Sequence, residues 1–380
     1  MAKKIKLLVF TKTLDGGTGT FVLDFLDIQK FFGRGELKIK TLVLEKPSFR
    51  RIKDKNFTYW AKANYYSEKY TLSLDHASKL IKEIFWFEKH VGAFNPDLVL
   101  TIDSHCMLLC EITKFLYQKR YKTMATIHNN LNQVIYVKST RYLHWVLNRL
   151  MRFFLNRADL VSCVSEDLSK NLYRSFALRM VPTTIYHGIS FERGHERSAP
   201  KNKAVILSIA RFVEQKDHET LLKAFHLLQK EKPNSELWLA GEGPLRKKLE
   251  HLSKHLKIEK QVKFLGWIQN SASIINKSDV LVLSSKREGF GYVLIEAISL
   301  GVPVISTNTP FGPAEVLGYG KYGVLVQPGN PHSLKRAILK VLDEDNYRHY
   351  SRLALDRSKY FSKSKMLKTY KKHILKTLIN

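Results

Sequence analysis

The sequence predicts an α/β protein of two Rossmann-like, doubly wound domains, each built on a parallel sheet. Three observations carry that expectation. Short β-branched or leucine-rich runs alternate with helical patterns through both halves of the chain. The strand runs end in glycine-rich or polar loops directly before a helical stretch, as parallel crossovers require. Near 186–202 the regular pattern gives way where Gly188, Gly194 and Pro200 fall, which marks a junction. At 380 residues the chain is long for a single core, and about two domains is the ordinary outcome.

In the second half, strands are expected at Ala204–Ile209, Glu236–Ala240, Val262–Leu265, Val280–Leu283, Pro303–Ser306 and Gly323–Val326. Helices fall between them, near 217–231, 244–257, 270–277, 291–300 and 313–318. The first half repeats the plan with strands at Ile5–Phe10, Lys40–Leu44, Leu98–Ile102, Thr123–Ile127 and Leu160–Val164. Its helices are expected near 18–32, 74–90, 105–119, 140–157 and 166–175. The segment 46–72 is basic and aromatic without a clear period, and is given no element.

Composition bounds the class. Hydrophobic content of 44% with 26% charged residues excludes a disordered chain. Cys106, Cys110 and Cys163 leave an odd thiol and no zinc spacing, which fits a reduced, cytoplasmic compartment. No apolar run approaches the roughly 20 residues of a membrane helix. The opening run ends at Phe10 and reads as a strand rather than a leader. The formal charge of +29 predicts attraction to an anionic partner: membrane, nucleic acid or phosphorylated substrate.

In a doubly wound sheet, ligands sit beyond the carboxyl ends of the strands. After strand Val280–Leu283 comes Ser284-Ser285-Lys286-Arg287-Glu288-Gly289-Phe290-Gly291, then a helix expected to start near Gly291 and stop at Gly301, with Pro303 beyond. The glycines allow close backbone approach, and first-turn amides suit a diphosphate. The Cα–Cβ bond of Glu296 tilts back toward that N-terminus, so its carboxylate can accept both ribose hydroxyls. Glu288, still in the loop, can reach hydroxyls of a sugar. The same pattern also fits a strand–helix turn with a solvated glutamate. Arg211 and Lys216 edge the loop after the first strand of this half and could offset charge on a diphosphate, or be ordinary surface charge. Gly241 opens the turn Gly241-Glu242-Gly243-Pro244, and Gly266-Trp267-Ile268 could wall a base.

In the first half, Asp15-Gly16-Gly17-Thr18-Gly19-Thr20 is neither a P-loop nor a dinucleotide fingerprint, only a glycine-rich loop at a sheet end. His128 and His105 each follow a strand end, where a structural histidine is the plain alternative to a functional one.

Taken together, these residues resemble glycosyltransferase family GT4, whose members retain anomeric configuration. The E-x7-E region is matched by Glu288-Gly289-Phe290-Gly291 through Glu296, with Gly301-Val302-Pro303 following. Arg211, Lys216, Ala240–Pro244, Val262–Gly266 and Ser278-Asp279-Val280 agree in order and spacing across 203–345. The likeness thins in the first half to Gly16-Gly17, His128, Ala158-Asp159 and Val164-Ser165. The resemblance implies the GT-B fold: two Rossmann-like domains facing a central cleft, the last helix crossing back to the first. The first domain would be 1–186 with 357–380 packed on it, the second 187–356. Arg211 and Lys216 would hold the diphosphate, Glu296 the ribose, and Glu288 with the Gly289–Gly291 backbone the donor sugar. His128 would sit beside the anomeric centre as a catalytic residue with Glu288. The donor would be a nucleotide sugar, UDP-linked, with no cofactor and no metal, because no Asp-x-Asp follows an apolar strand. Departures lie on the acceptor side and hinge: Gly-Thr-Gly-Thr without an early acid, Asn129 after His128, and Tyr186-His187-Gly188. The acceptor therefore does not carry over.

The charge has two concentrations. Between Ser104 and Ala158 there are nine Lys/Arg against Glu111 alone, and from Arg357 onward eight Lys/Arg and no acid. Tyr142–Arg157 mixes Arg with Trp, Phe and Leu at helical spacing, which suits the anionic inner face of a cell membrane and a polyprenyl- or lipid-linked glycan acceptor. A packed helix with a basic outer face is the alternative. Competing functions are a sugar-nucleotide epimerase on the same fold, a basic nucleic-acid binder without a recognised module, and a degenerate partner subunit.

Overall fold

Strands form here where apolar runs are covered on both sides, so they read as continuous rather than alternating burial. In the computed structural model, which describes residues 4–47, 56–61, 74–131, 141–190, 194–200 and 203–379, β1 (Ile5–Thr11) shows this from Leu7 onward. Side chains of 61, 74–77 and 141–144 lie outside that description. So do parts of two sequence expectations, the 46–72 segment and the junction at 186–202.

The first unit continues with α1 (Gly16–Phe25), β2 (Leu37–Glu45), β3 (Phe57–Ala61), α2 (Leu74–Phe94), β4 (Leu98–Thr101), α3 (Ser104–Leu116) and β5 (Lys122–Ile127). It closes with α4 (Arg141–Leu155), β6 (Leu160–Cys163), α5 (Glu166–Phe176) and β7 (Thr183–Thr184). The seven strands are parallel in the order β3-β2-β1-β4-β5-β6-β7, so the winding reverses between β1 and β4. Right-handed crossovers then put α1 on one face and α2 to α5 on the other. Packing agrees: Leu8, Phe10 and Val99 lie against Phe87 of α2 and Leu109 of α3. Where a helix was expected over 18–32, the α-helix stops at Phe25 and a 3₁₀ stretch covers Leu26–Phe31.

The second unit repeats the design with β8 (Val205–Ile209), α6 (His218–Leu228), β9 (Glu236–Ala240), α7 (Arg246–His255), β10 (Val262–Gly266), α8 (Ser271–Asn276) and β11 (Val280–Leu283). Then come α9 (Tyr292–Ser299), β12 (Val304–Thr307), α10 (Pro313–Val316), β13 (Val324–Val326), α11 (Pro331–Leu342) and α12 (Glu344–Ser358). The sheet order is β10-β9-β8-β11-β12-β13, again all parallel, with the reversal between β8 and β11. Helix α13 (Lys363–Ile379) returns to the first unit, which comprises Met1–Tyr186 and Ser364–Asn380. There Tyr370 is buried against Phe21 and Phe25 of α1, so α13 shares the face of α1.

Residues 357–363 stay with the second unit, although 357 was the expected point of return. The reason is specific contact. The Arg357 guanidinium donates to the carbonyls of Val316 (2.8 Å) and Glu315 (2.6 Å), and Phe361 packs edge-on to Phe290. The two connecting segments run side by side, with Ile189 N–H on the Phe361 carbonyl and Lys363 N–H on the Ile189 carbonyl. A Cβ at Gly188 would lie 2.4 Å from the Ser362 carbonyl oxygen, so only glycine fits there.

One device recurs in both sheets. An aspartate just before a strand accepts an amide from the first two residues of the neighbouring strand. Asp97 takes Lys6 N–H, Asp159 takes Thr123 N–H and Asp279 takes Val205 N–H, each within 2.8 Å. These charge-assisted bonds fix strand register, which gives Ala158-Asp159 and Ser278-Asp279 a structural role.

Glu111 on α3 is less comfortable. It is buried, and neither carboxylate oxygen has a hydrogen-bond partner among the described residues. Burial first, and Asp159 after it, push its pKa up, against the nearby Thr123 hydroxyl, Lys114 and Arg157. A raised carboxyl pKa means stability is full below the unfolded value and is lost as pH rises through the folded one. Glu111→Gln should therefore raise Tm at pH 8 by about 2–4 °C, since a neutral amide is cheaper to bury. The gain should shrink toward pH 4.5. Equal melting shifts at both pH values would exclude this cause.

Candidate active site

Loops leaving β8 and β11 meet because those strands are neighbours at the winding reversal of the second sheet, the usual ligand position for this topology. They are sewn together. Lys286 N–H donates to the Gln215 carbonyl (2.8 Å), and the Gln215 amide donates to the Arg287 carbonyl (2.9 Å). The Ser284 hydroxyl donates to the Lys216 carbonyl (2.9 Å). Lys216 Nζ forms an ion pair with Glu288 Oε1, which also accepts the Ser285 hydroxyl at 2.6 Å. Glu288 Oε2 has no partner among the described residues. Its side chain is only 8% exposed, so the pair sits in a weakly hydrated setting that strengthens it.

Arg211 opens the β8 loop, exposed and without a side-chain partner among the described residues. Beneath it the loop is locked to the turn after β9: Phe212 N–H bonds the Glu242 carbonyl, and Gly241 N–H bonds the Gly266 carbonyl at 2.7 Å. A Cβ on Gly241 would lie 2.1 Å from the Ala210 carbonyl oxygen, and one on Gly243 2.4 Å from that of Phe212. These glycines hold three strand ends close, and Gly266 turns the chain at φ +69 to present a half-buried Trp267.

Helix α9 begins after Gly291, which caps it at φ +82, and ends before Gly301 at φ +71 with Pro303 beyond. Glycine suits both ends because an L side chain is strained at such angles. Phe290 turns its ring inward onto His187 (5.0 Å between ring centres) and Phe361, and Gly289 and Gly291 on either side of it are buried with it. Glu296 is buried on the second turn, where its Oε1 accepts the Ser271 hydroxyl at 2.9 Å. The second unit thus brings together Arg211, Lys216, Gly241, Gly266, Trp267, Glu288, Gly289, Phe290, Gly291 and Glu296 at the carboxyl ends of β8 to β11.

Sequence reasoning missed the hydroxyls. Ser271 and Ser285 each hold one of the two glutamates, and Thr307 at the end of β12 donates to the Ser285 carbonyl at 2.5 Å. Polar residues at the ends of otherwise apolar strands were the available signal for Ser285 and Thr307, while Ser271 opens a helix. His218, beside Lys216, was missed too. It is buried against Phe212 with neither ring nitrogen bonded among the described residues, and burial, then Lys216, hold its pKa down to about 3.

Gly17 and His128 belong to the first unit. Gly17 is exposed in the first turn of α1, after Gly16 at φ +68. His128 follows β5 with its ring 5.2 Å from that of Phe21. Burial lowers its pKa to about 4, with Asp103 opposing. The imidazole is therefore neutral throughout the physiological range. The ratio of wild-type to His128→Asn kcat/KM should stay constant within about twofold from pH 6 to 8, because a depressed histidine does not titrate there. A ratio that changed with a midpoint near 6.5 would contradict the neutral ring. His105 bonds the buried Glu83 at 2.9 Å, tying α3 to α2.

Two parallel, doubly wound units and a strand-end site with paired glutamates and cations define a GT-B protein. Residues 191–354 match the family described as Glycosyl transferases group 1, and residues 60–193 match Glycosyltransferase Family 4. The chain belongs to the family 4 type of glycosyltransferase, and is an enzyme of that class. It is similar to an uncharacterised glycosyltransferase of Methanocaldococcus jannaschii, 26% identical over 340 residues, covering 77% of this chain and 82% of that protein. It is also 29% identical over 298 residues to N-acetylgalactosamine-N,N'-diacetylbacillosaminyl-diphospho-undecaprenol 4-alpha-N-acetylgalactosaminyltransferase of Campylobacter jejuni, covering 74% and 80%. Among solved structures, Anabaena HepE in complex with UDP-glucose superposes with TM-score 0.75 at 17% identity, covering 98% of this chain and 100% of that one. Sucrose-phosphate synthase from Thermosynechococcus elongatus gives 0.77 at 18% identity, covering 98% of each.

Proposed function

We propose that the protein transfers a sugar from a UDP-linked donor to a glycan or polyprenyl-linked acceptor, with retention of anomeric configuration, in the synthesis of a cell-surface polysaccharide or glycoconjugate. The observation that carries this is the sewn β8–β11 junction, which sets Lys216, Glu288 and the start of α9 around one strand-end position, with Glu296 one turn on. The names of the relatives support it: one acts on an undecaprenyl diphosphate glycan, and one solved neighbour holds UDP-glucose.

In this reading Glu296 accepts the ribose hydroxyls and Trp267 with Gly266 walls the base. Arg211 and Lys216 carry the diphosphate, joined by the first-turn amides of α9. Glu288 Oε2 accepts a hydroxyl of the donor sugar. The bond from the anomeric carbon to the diphosphate oxygen breaks while the acceptor oxygen bonds on the same face. The acceptor proton passes to the departing phosphate oxygen. Neither glutamate is needed as a base, because Glu288 is held by Lys216 and Glu296 is buried beside Ser271. No metal enters this reading, and neutral His128 serves by hydrogen bonding rather than proton transfer. A lipid-linked acceptor places the enzyme at the cytoplasmic face of a membrane. Among the described residues no helix is long and apolar enough to cross one.

The test is a thermal-stabilisation screen of nucleotide sugars, followed by slow donor hydrolysis and the anomeric configuration of the product. UDP-sugars should stabilise the protein above GDP-sugars. No stabilisation by any nucleotide sugar would end the donor assignment, and an inverted product would end the mechanism.

A further inference from the structure

We propose that the outer surface of α3, α4 and the loop after α5, on one face of the first sheet, is the surface that docks on an anionic lipid bilayer. The inference deepens the lipid-linked acceptor reading and rests on it for its purpose. All but two of the exposed large apolar side chains among the described residues lie in the first unit; Tyr319 and Tyr360 are the exceptions. Single exposed apolar residues are normal on soluble proteins, but a contiguous group calls for an occupant.

The group is contiguous, and its members alternate in chemistry. Trp145 (54% exposed) has the Arg149 guanidinium 4.8 Å from its ring centre. One turn on is Phe153 (49%), and the next turn brings Arg157, whose guanidinium lies 5.4 Å from Phe153 and 5.3 Å from Phe115 (56%) of α3. The spacing of four residues keeps 145, 149 and 153 along one side of α4, Arg157 follows in the turn after the helix ends at Leu155, and Met151 and Phe154 face inward. Leu116 and Leu150 flank the line. Arg179 N–H bonds the Asn156 side chain at the end of α4, which brings exposed Met180 and Val181 alongside.

The charge is uncompensated. Glu88 is taken by Lys119, and Asp159 by Lys114 and Lys122. Arg120, Arg149 and Arg152 have no acidic partner among the described residues. Guanidinium groups interleaved with Trp and Phe fit the headgroup boundary, where rings lodge shallowly and cations meet lipid phosphates. Single-stranded nucleic acid also stacks on aromatics. Leu116, Leu150, Met180 and Val181 offer it nothing to stack on, whereas a bilayer accepts them.

The topology also separates this surface from the other basic region. Lys368, Lys372 and Lys376 of α13 are exposed on the α1 side of the sheet, away from α3 and α4. One flat membrane cannot lie on both faces, and the α3–α4 face couples its charge to a group of exposed rings and aliphatic side chains, whereas among the described residues α13 adds Ile379 at its end.

The experiment is sedimentation of the full chain with vesicles of phosphatidylglycerol and phosphatidylcholine, against phosphatidylcholine alone, with donor hydrolysis followed in the same samples. Arg149→Gln/Arg157→Gln should weaken binding about 25-fold, at roughly fivefold per cation. Trp145→Ser/Phe153→Ser should weaken it about tenfold and leave a remainder that salt abolishes. Lys368→Gln/Lys372→Gln/Lys376→Gln should change it by less than about threefold, since that face lies beyond the screening length. Should the double arginine variant melt early, Arg149→Gln alone should give about a fivefold loss. The proposal is overturned if the wild type ignores anionic vesicles, if the α13 variant loses binding as the arginine variant does, or if single-stranded RNA competes the protein off the vesicles. Donor hydrolysis absent throughout, with vesicle binding as expected, would sink the transferase reading and leave this surface standing.

Discussion

Glu296→Ala is expected to weaken nucleotide binding by about 100-fold while leaving the protein folded, because hydrogen bonds to a charged carboxylate contribute about 1.5–3 kcal/mol each and the ribose offers two. The carboxylate is prepared for that task. It lies on the second turn of α9 with its Cα–Cβ bond tilted toward the helix start, and Ser271 anchors Oε1 from the beginning of α8. Calorimetry with UDP and its 2′,3′-dideoxy analogue separates this role from a general loss of packing. The wild type should bind the analogue about 100-fold more weakly than UDP, and Glu296→Ala should bind both alike. Ser271→Ala should lose about fivefold, since it frees the carboxylate to rotate without removing it. If Glu296→Ala still discriminated between the two nucleotides as the wild type does, the ribose assignment would be abandoned.

How far these contacts were legible in sequence depends on the distance over which they form. Helix α9 was readable nearly to the residue because Gly291, Gly301 and Pro303 act locally on backbone angles. Lys216 and Glu288 could each be placed at a strand end, but their ion pair depends on β8 and β11 being neighbours, and strand order is not a local property. The Ser271–Glu296 contact depends likewise on where α8 docks against α9. In the first unit, β3 escaped notice because it is an edge strand, paired with β2 alone and free of the two-sided burial that makes central strands conspicuous. Strand β7, two residues long, carries no period at all. The basic surfaces were visible as charge runs. That α13 and the α3–α4 face lie on opposite sides of the sheet follows only from the handedness of the crossovers.

Lys216 is the residue where the structure most alters the expected role, and its removal should have the second large effect. As a diphosphate contact alone, Lys216→Ala would lower kcat by about 10²- to 10³-fold through lost stabilisation of the departing charge. Its ion pair with Glu288 adds a consequence. The substitution leaves the Glu288 carboxylate, 8% exposed, with only the Ser285 hydroxyl, so stability should fall by about 1–3 kcal/mol as well. Glu288→Gln in the same chain removes the stranded charge. The double variant Lys216→Ala/Glu288→Gln should therefore recover most of the lost Tm and none of the lost kcat. Melting curves and donor hydrolysis on the four proteins of this cycle separate the two roles. Should turnover return together with stability, Lys216 would be a clamp for Glu288 and the diphosphate would rest on Arg211 and the α9 amides. Should neither return, Glu288 itself would be indispensable to the sugar, and Glu288→Gln alone would already show the full loss of kcat at nearly unchanged Tm. In either case Glu288 remains anchored through Oε1, which leaves Oε2 as the oxygen that can choose between donor sugars.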